Sequence, residues 1–164
     1  MSDCVYLCPC GYFGSDQKPC TCAPSAVTKY QKRISGPLLD RIDIHVEVPR
    51  VDYEKLSGNR AGKMSETIRA RVQAARDIQN KRFSCHGASD IVCNADMRVG
   101  EIRQFCRLQD EGQSLMRAAM SQLNLSAHGY HRILKLARTI ADLVGSEEIQ
   151  STHLAEALQY RPKM

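Results

Sequence analysis

The sequence predicts a mainly α-helical protein with a small α/β segment near its beginning. An alternation of apolar and polar residues over 42–48 is typical of a single strand, whereas the segments after residue 65 repeat apolar residues at helical spacing. Four cysteines in two close pairs, within a stretch rich in Gly and Pro, indicate a compact loop before the strand. With 164 residues, the chain is long enough to bury a core without disulfides.

Composition excludes several classes of protein. Hydrophobic residues make up 43% and charged residues 25%, which is typical of a globular chain and excludes a wholly disordered one. No apolar run approaches the roughly 20 residues that span a bilayer. The first seven residues also lack a signal-peptide pattern, so we expect a cytoplasmic protein with no membrane partner. A net charge of +5, from 23 basic and 18 acidic residues, permits contact with nucleic acid without requiring it.

A loop and one short helix are predicted before the strand. Residues 11–24 are rich in Gly, Pro, Ser, Asp and Thr and are therefore expected to form a loop. The following segment, 25–35, favours a short helix capped by Ser25. Gly36-Pro37 should end this helix.

The strand and the remaining helices follow in order. Over 42–48 the apolar residues share one face and the polar residues the other, so we expect a strand at or near the edge of a sheet; the apolar residues are Ile42, Ile44, Val46 and Val48. Residues 51–64 are polar without a period and are predicted to be a linker. Helices are predicted over 65–83, 96–107, 109–123, 126–144 and 151–160.

The segment 126–144 carries the clearest helical stripe of apolar residues. We predict that its buried face includes Ile133, Leu134, Ala137 and Ile140. Gly145 is well placed to stop this helix, because glycine readily adopts the left-handed conformation at a helix end.

The cysteine pairs predict a metal site. Cys8-x-Cys10 and Cys20-x-Cys22 offer four thiolates, the soft ligands that Zn²⁺ binds tetrahedrally, and we expect structural zinc. Cys-x-x-Cys is the commoner zinc spacing, and the alternative is a group of reduced thiols without metal. Cys4 is a possible substitute ligand. The scattered cysteines are expected to be core or surface thiols; they are Cys85, Cys93 and Cys106.

Basic residues concentrate on the helix 65–83. Arg69, Arg71 and Arg76 are candidates for contact with DNA phosphates, because cationic side chains on one helix can neutralise several phosphates. No aromatic residues interleave with them to stack on bases, so the alternative is an ordinary solvated face.

Arg41 is a second electrostatic candidate. It stands where the predicted strand begins, behind the turn at Gly36-Pro37, and the alternative role is a salt bridge to Asp40 or Asp43. The pattern G-x-x-x-x-G-K-[ST], which cradles nucleotide phosphates, does not occur in the chain.

Several segments in one order resemble the magnesium-chelatase-like AAA+ ATPases, the ComM/YifB group. The first are Cys-Pro-Cys-Gly, Cys-Thr-Cys and SGPLLDRIDIHVEVPRV. Further along come IRARVQAARDIQNKRF, EIRQFCRL, HRILKLARTIADLVGSEEIQ and HLAEALQYRP. The resemblance covers nearly the whole chain.

This resemblance implies a C-terminal fragment of a larger ATPase. Residues 1–50 would end its α/β core and carry the cysteine knuckle, 51–64 would be the linker, and 65–164 would form a helical lid. The Walker A and Walker B motifs would lie upstream, so the chain alone should be inactive. The intact protein would bind ATP and Mg²⁺, assemble into a homo-oligomeric ring, expected to be a hexamer, and act on DNA in branch migration and competence.

The resemblance also assigns roles to single residues. Arg41, in the matching LLDRID, would be an arginine finger that reaches the nucleotide of the neighbouring subunit in trans. His128 occupies the sensor-2 position, where the family has arginine in Ser-Ala-Arg, and Arg132 or Arg138 is expected to compensate. Tyr6-Leu7 stand where the family has Asn-Pro, whose Asn acts as sensor 1.

Two other functions remain as alternatives. One is a zinc-stapled helical adaptor module that binds DNA or protein and has no ATPase role. The other is insertion of magnesium into a porphyrin, which the family name suggests. We favour it least, because a cysteine knuckle is not expected in a genuine chelatase subunit.

Overall fold

A computed structural model describes residues 8–15, 18–33, 36, 41–46, 48, 62–85 and 90–161. Six α-helices are described over their full lengths. They are α1 (Pro24–Gln31), α2 (Ser65–Ser84), α3 (Val99–Phe105), α4 (Asp110–Gln122), α5 (Ala127–Leu143) and α6 (Ser151–Gln159), with a 3₁₀ turn at Asn94–Asp96 between α2 and α3. The predicted mainly helical fold is confirmed. No helix in these ranges is both long and apolar enough to cross a membrane.

The chain divides into two compact units, Met1–Arg41 and Ile42–Met164. In the first unit, α1 begins at Pro24, because proline's fixed φ and missing N–H suit the first helical turn. Its cap residue is Ala23 and not the predicted Ser25. The predicted linker, 51–64, lies outside the described residues except for its last three.

The predicted strand over 42–48 is wrong for every residue described there. None of these residues has strand conformation, and the four apolar side chains are between 37% and 83% exposed; they are Ile42, Ile44, Val46 and Val48. The alternation of apolar and polar residues indicates a segment with two different faces, but it does not specify a neighbouring strand to pair with. A strand needs a neighbour to bond its N–H and C=O groups, and the single β-bridge in the described part of the chain joins Leu108 to Ile149.

The second unit is a helical bundle centred on α5. This helix packs against α6, α2, α3 and the 3₁₀ turn, while α4 packs against α6. The four residues predicted to form its buried face are no more than 6% exposed, which confirms the stripe. The surrounding core includes Phe83, Ile102, Met116, Ile149 and Leu154.

Both ends of α5 have identifiable caps. At its start, the Ser126 hydroxyl accepts a hydrogen bond of 3.0 Å from the Gly129 N–H. At its end, Gly145 has a φ of 73°, and the Ser146 N–H donates to the Ala141 carbonyl at 2.9 Å. This is the Schellman arrangement, so the predicted stop at Gly145 is confirmed.

Helix α2 is buried only along its second half. Its buried residues are Ala75, Gln79 and Phe83, which are spaced four apart and therefore share one face. The apolar residues Ile68 and Val72 of the first half are exposed. Consequently α2 extends beyond the helices against which its second half packs.

Candidate functional site

The structure brings the thiols of Cys8, Cys10, Cys20 and Cys22 together. All four sulfur atoms lie within 4.8 Å of one another. The Cys8–Cys10 sulfur distance is 3.3 Å, Cys10–Cys20 is 3.5 Å and Cys20–Cys8 is 3.8 Å. Four thiolates around Zn²⁺, with bonds of about 2.3 Å, would lie about 3.8 Å apart. The four thiols therefore fit a tetrahedral zinc site.

Two tight turns between the cysteine pairs make this convergence possible. Gly11 has a φ of 77° and Gly14 a φ of 78°, a region that glycine adopts without steric penalty. The Gly11 N–H donates to the Cys8 carbonyl at 3.1 Å, which turns the chain within the Cys-Pro-Cys-Gly segment. The Phe13 N–H then donates to the Cys8 sulfur at 3.3 Å. Backbone donors of this kind stabilise thiolates.

The thiols differ in their readiness to ionise. A hydrogen bond from the Tyr12 backbone N–H, together with one from the Cys8 thiol, lowers the pKa of Cys10 to about 6. For Cys20, the Cys22 backbone N–H lowers the pKa, but burial and hydrogen bonds with the Cys10 and Cys8 thiols outweigh it and raise the value to about 12. Of these two thiols, Cys10 therefore ionises more readily than Cys20. A metal that binds all four sulfur atoms would displace the protons that remain.

The scattered cysteines have other surroundings. Cys85 is exposed at the end of α2. The Cys93 thiol donates to the Asp96 carboxylate at 3.2 Å. Cys106 is buried in the core, and burial raises the pKa of its thiol to about 12, so it stays protonated. Cys4 lies outside the described residues.

The residues that follow Arg41 are held on the helical unit. We call residues 42–46 the strap. The Asp43 carboxylate pairs with the Arg132 guanidinium of α5 at 2.6 Å. Two more bonds hold the strap near the end of α6: the His45 N–H donates to the Tyr160 carbonyl at 2.9 Å, and the Arg161 guanidinium donates to the Ile42 carbonyl at 3.3 Å.

Of the residues with roles implied by the family resemblance, His128 and Arg132 lie in the first turns of α5. Arg41 is exposed and immediately precedes the strap in the chain. His128 is exposed on the first turn of α5, and Arg132 follows one turn later on the same side. Arg138, in contrast, is buried and donates to the Ser146 and Glu147 carbonyls. Arg132 therefore has the more accessible guanidinium of the two expected substitutes.

The basic residues of α2 do not all share a face. Arg69, Arg71 and Arg76 are exposed. Residues seven apart on a helix lie on nearly the same side, which groups Arg69 with Arg76, whereas a separation of two places Arg71 about 160° away from Arg69. Arg69 and Arg76 can therefore contact the backbone of the same DNA strand together.

A buried polar network was not predicted from the sequence. Asp142 of α5 is 2% exposed and accepts hydrogen bonds from Arg82, Asn94 and Arg138. The Arg82 guanidinium also donates a hydrogen bond of 3.0 Å to the side-chain oxygen of Asn94. The network joins α2, the 3₁₀ turn and α5, and it removes Arg82 from the basic surface of α2. In the sequence, the one indication of this network was the spacing of Arg138 and Asp142, which are four residues apart on the predicted helix with the clearest apolar stripe and can therefore pair.

Comparisons with known proteins match both parts of the chain. The family described as "Magnesium chelatase, subunit ChlI C-terminal" matches residues 62–161, and "Magnesium chelatase, subunit ChlI" matches residues 3–56. Competence protein ComM of Haemophilus influenzae is 42% identical over 141 residues, which is 85% of this chain and 26% of that protein. YifB of Escherichia coli is 38% identical over 93% of this chain and 29% of its own length.

A YifB protein from Salmonella typhimurium is 34% identical, again over 93% of this chain and 29% of its own length. The chain thus spans little more than a quarter of the length of these relatives. The family match covers more than half of this chain and includes all helices from α2 to α6. The chain belongs to the magnesium-chelatase-like AAA+ family that includes ComM and YifB, and it corresponds to the C-terminal region of that family.

Proposed function

We propose that this chain is the C-terminal part of a ring-shaped, ATP-hydrolysing motor that acts on DNA, and that it supplies Arg41 to the nucleotide site of the neighbouring subunit. The position of Arg41 carries the proposal. Arg41 is exposed and immediately precedes the strap in the chain. Three polar contacts hold the strap on α5 and on the end of α6. A movement of the helical unit would therefore be transmitted to the residue next to Arg41.

Arginine has the chemistry for this role. Its guanidinium stays charged and presents several donors in a planar fork, which suits the charge that develops on a transferring γ-phosphoryl group. In the proposed ring of six subunits, Arg41 would donate to γ-phosphate oxygens of an ATP·Mg²⁺ that the adjacent subunit holds with its own Walker motifs. His128, exposed on the first turn of α5, would sense the nucleotide of its own subunit, together with Arg132 one turn later, whose guanidinium also pairs with Asp43.

The exposed apolar face of 42–48 supports a larger assembly. Ile42, Ile44, Val46 and Val48 alternate along the chain, and their side chains are between 37% and 83% exposed. A row of this kind is what a strand buries when it joins a sheet. We propose that the rest of the ATPase core provides that sheet.

Subunit mixing tests the proposal. One full-length variant carries Arg41→Ala, and the other has the Walker A lysine replaced by alanine. Each alone should be inactive, but mixed rings place an intact Arg41 beside an intact nucleotide site and should recover ATP hydrolysis. If the mixture stays inactive although mixed rings form, Arg41 does not act across the interface. Normal hydrolysis by Arg41→Ala alone would instead favour the adaptor module.

We also propose that the four clustered thiols hold structural Zn²⁺, through Cys8, Cys10, Cys20 and Cys22. Zinc bound by four thiolates would close the loop between the two pairs, whose short turns provide little core of their own. Protein purified under reducing conditions is expected to contain close to one zinc per chain by elemental analysis.

Replacing Cys10 and Cys22 by serine should abolish this zinc, because only two of the four ligands remain. Cys85→Ser is the matched control, since Cys85 is an exposed thiol outside the cluster, and it should retain zinc. The proposed site is contradicted if the wild-type chain contains no stoichiometric metal. It is also contradicted if the double cysteine variant and Cys85→Ser contain equal amounts of zinc.

Binding of DNA by α2 is a further part of the proposal. The triple variant Arg69→Gln/Arg71→Gln/Arg76→Gln should weaken DNA binding by the full-length protein. It should also flatten the log–log dependence of affinity on salt by about 0.9 for each phosphate that the protein no longer neutralises. Arg103→Gln/Arg107→Gln/Arg117→Gln removes the same charge from outside α2 and should leave the slope unchanged. Equal slopes in the wild type and the α2 variant would mean that this face is only solvated.

A further inference from the structure

A cleft in the helical unit carries a second set of arginines. It lies between α3, α4 and α5, has a volume of about 570 Å³, and is here called the arginine cleft. Arg103 of α3, Arg107 of the following loop and Arg117 of α4 line it, together with His131 of α5. No lining residue is acidic. The cleft is therefore a region of concentrated positive charge.

The charges of the three arginines are not paired within the part of the chain that the structure describes. All three side chains are exposed. Among the residues that the structure describes, the salt bridges involve Arg82, Arg98, Arg132 and Arg138, and none involves an arginine of the cleft. This contrasts with Arg82 and Arg138, which are committed to Asp142. The cleft arginines thus have their charges available for a ligand.

The base of the cleft is apolar. Leu108, Met120 and Tyr130 are half-buried, pack against the core and line the cleft. Methionine adapts to differently shaped apolar groups, which suits a surface that receives a side chain from another molecule. The side-chain amide of Gln113, which also lines the cleft, already donates a hydrogen bond of 3.1 Å to the Leu108 carbonyl. The cleft combines a cationic rim with an adaptable apolar floor.

We propose that the arginine cleft binds an acidic peptide segment of a partner protein, with one large apolar side chain of that segment on its floor. Arginine forks pair with carboxylates through two parallel hydrogen bonds, and three of them match a short run of Asp or Glu. Single-stranded nucleic acid fits less well, because it needs open aromatic faces for its bases. The two aromatic rings of the lining, Tyr130 and His131, meet edge-on, and Tyr130 packs partly against the core, so neither pair of faces forms an open stacking platform.

A synthetic probe tests this site on the chain as it stands. The probe is a fluorescein-labelled peptide with one leucine between two runs of three glutamates, and its binding is followed by fluorescence anisotropy at low salt. We expect a dissociation constant on the order of 10⁻⁵ M. Arg103→Gln/Arg107→Gln/Arg117→Gln should weaken binding at least about tenfold, because the charge-assisted bonds can no longer form. The matched triple variant Arg69→Gln/Arg71→Gln/Arg76→Gln should bind within about twofold of wild type.

Two further measurements separate this site from general charge attraction. Replacing the leucine of the probe by serine should weaken binding, and amide shifts on titration with the original probe should concentrate at Leu108, Met120 and Tyr130. Circular dichroism of both triple variants should match the wild type, since exposed arginines without salt bridges do not support the fold.

Equal binding by the wild type and the cleft variant overturns the proposal, as does equal binding of the leucine and serine probes. Displacement of the probe by an oligothymidylate, with shifts at the same three residues, would instead assign the cleft to nucleic acid. These results do not depend on ATP hydrolysis or on Arg41, so they leave the proposed motor function untouched.

Discussion

Replacing Arg41 by alanine is expected to lower ATP hydrolysis by the full-length ring about 10³–10⁵-fold, the usual contribution of an arginine finger. Nucleotide affinity should change little, because the proposed contact strengthens only as charge builds on the γ-phosphoryl group. Steady-state hydrolysis together with binding of a fluorescent ATP analogue separates the two effects. A loss of affinity as large as the loss of turnover would indicate a binding residue and not a finger.

The conservative variant and a matched control sharpen this test. Arg41→Lys should restore little activity, because lysine keeps the charge but loses the planar fork. Arg33→Ala removes another exposed arginine from the same unit and should hydrolyse ATP at the wild-type rate. If Arg41→Lys is fully active, charge alone is sufficient at this position.

Replacing Asp142 by alanine is expected to destabilise the helical unit by about 3–5 kcal/mol, because it leaves the buried Arg138 and the largely buried Arg82 without their carboxylate. Total stabilities of about 5–15 kcal/mol mean that this change removes a large share of the folding free energy. Urea unfolding followed by circular dichroism measures it. Should Asp142→Ala fail to fold, Asp142→Asn, which keeps an acceptor oxygen, provides a milder variant for the same measurement.

The matched control is the exposed pair of Asp90 and Arg98. Their charged atoms lie 4.0 Å apart with most of both side chains in water. Such pairs contribute about 0–1 kcal/mol, so Asp90→Ala should shift the unfolding midpoint little. Similar losses for Asp90→Ala and Asp142→Ala would show that burial of the network has no special importance.

The Asp142 network also explains part of what could not be predicted. Arg82, Asn94 and Asp142 are separated by up to 60 residues, and each is an ordinary polar residue in its own segment. Only the packing of α2 and the 3₁₀ turn on α5 makes them partners. The arginine cleft is a similar case, since Arg103 and Arg117 belong to different helices and nothing in their local sequence indicates a shared cleft.

The predicted strand shows the opposite limit. The alternation over 42–48 predicts a two-faced strand, yet the described residues leave the apolar side chains exposed and form no strand. The same limit applies to α2, whose first half carries the apolar residues Ile68 and Val72 at helical spacing although both are exposed. A pattern specifies which face can be buried, but only a neighbour in space decides whether it is.

The sequence by itself determined the helices, the buried face of α5 and its stop at Gly145, because spacing, caps and glycine conformation act within a few residues. It also identified the two cysteine pairs, although the meeting of their sulfur atoms depends on the turns at Gly11 and Gly14. Tertiary structure decided which charges are paired and which remain available. Arg82 and Arg138 are held at Asp142, whereas Arg103, Arg107 and Arg117 face an open cleft. The physical reason is that a charge in the interior needs a partner from another segment, and only the folded chain brings that segment to it.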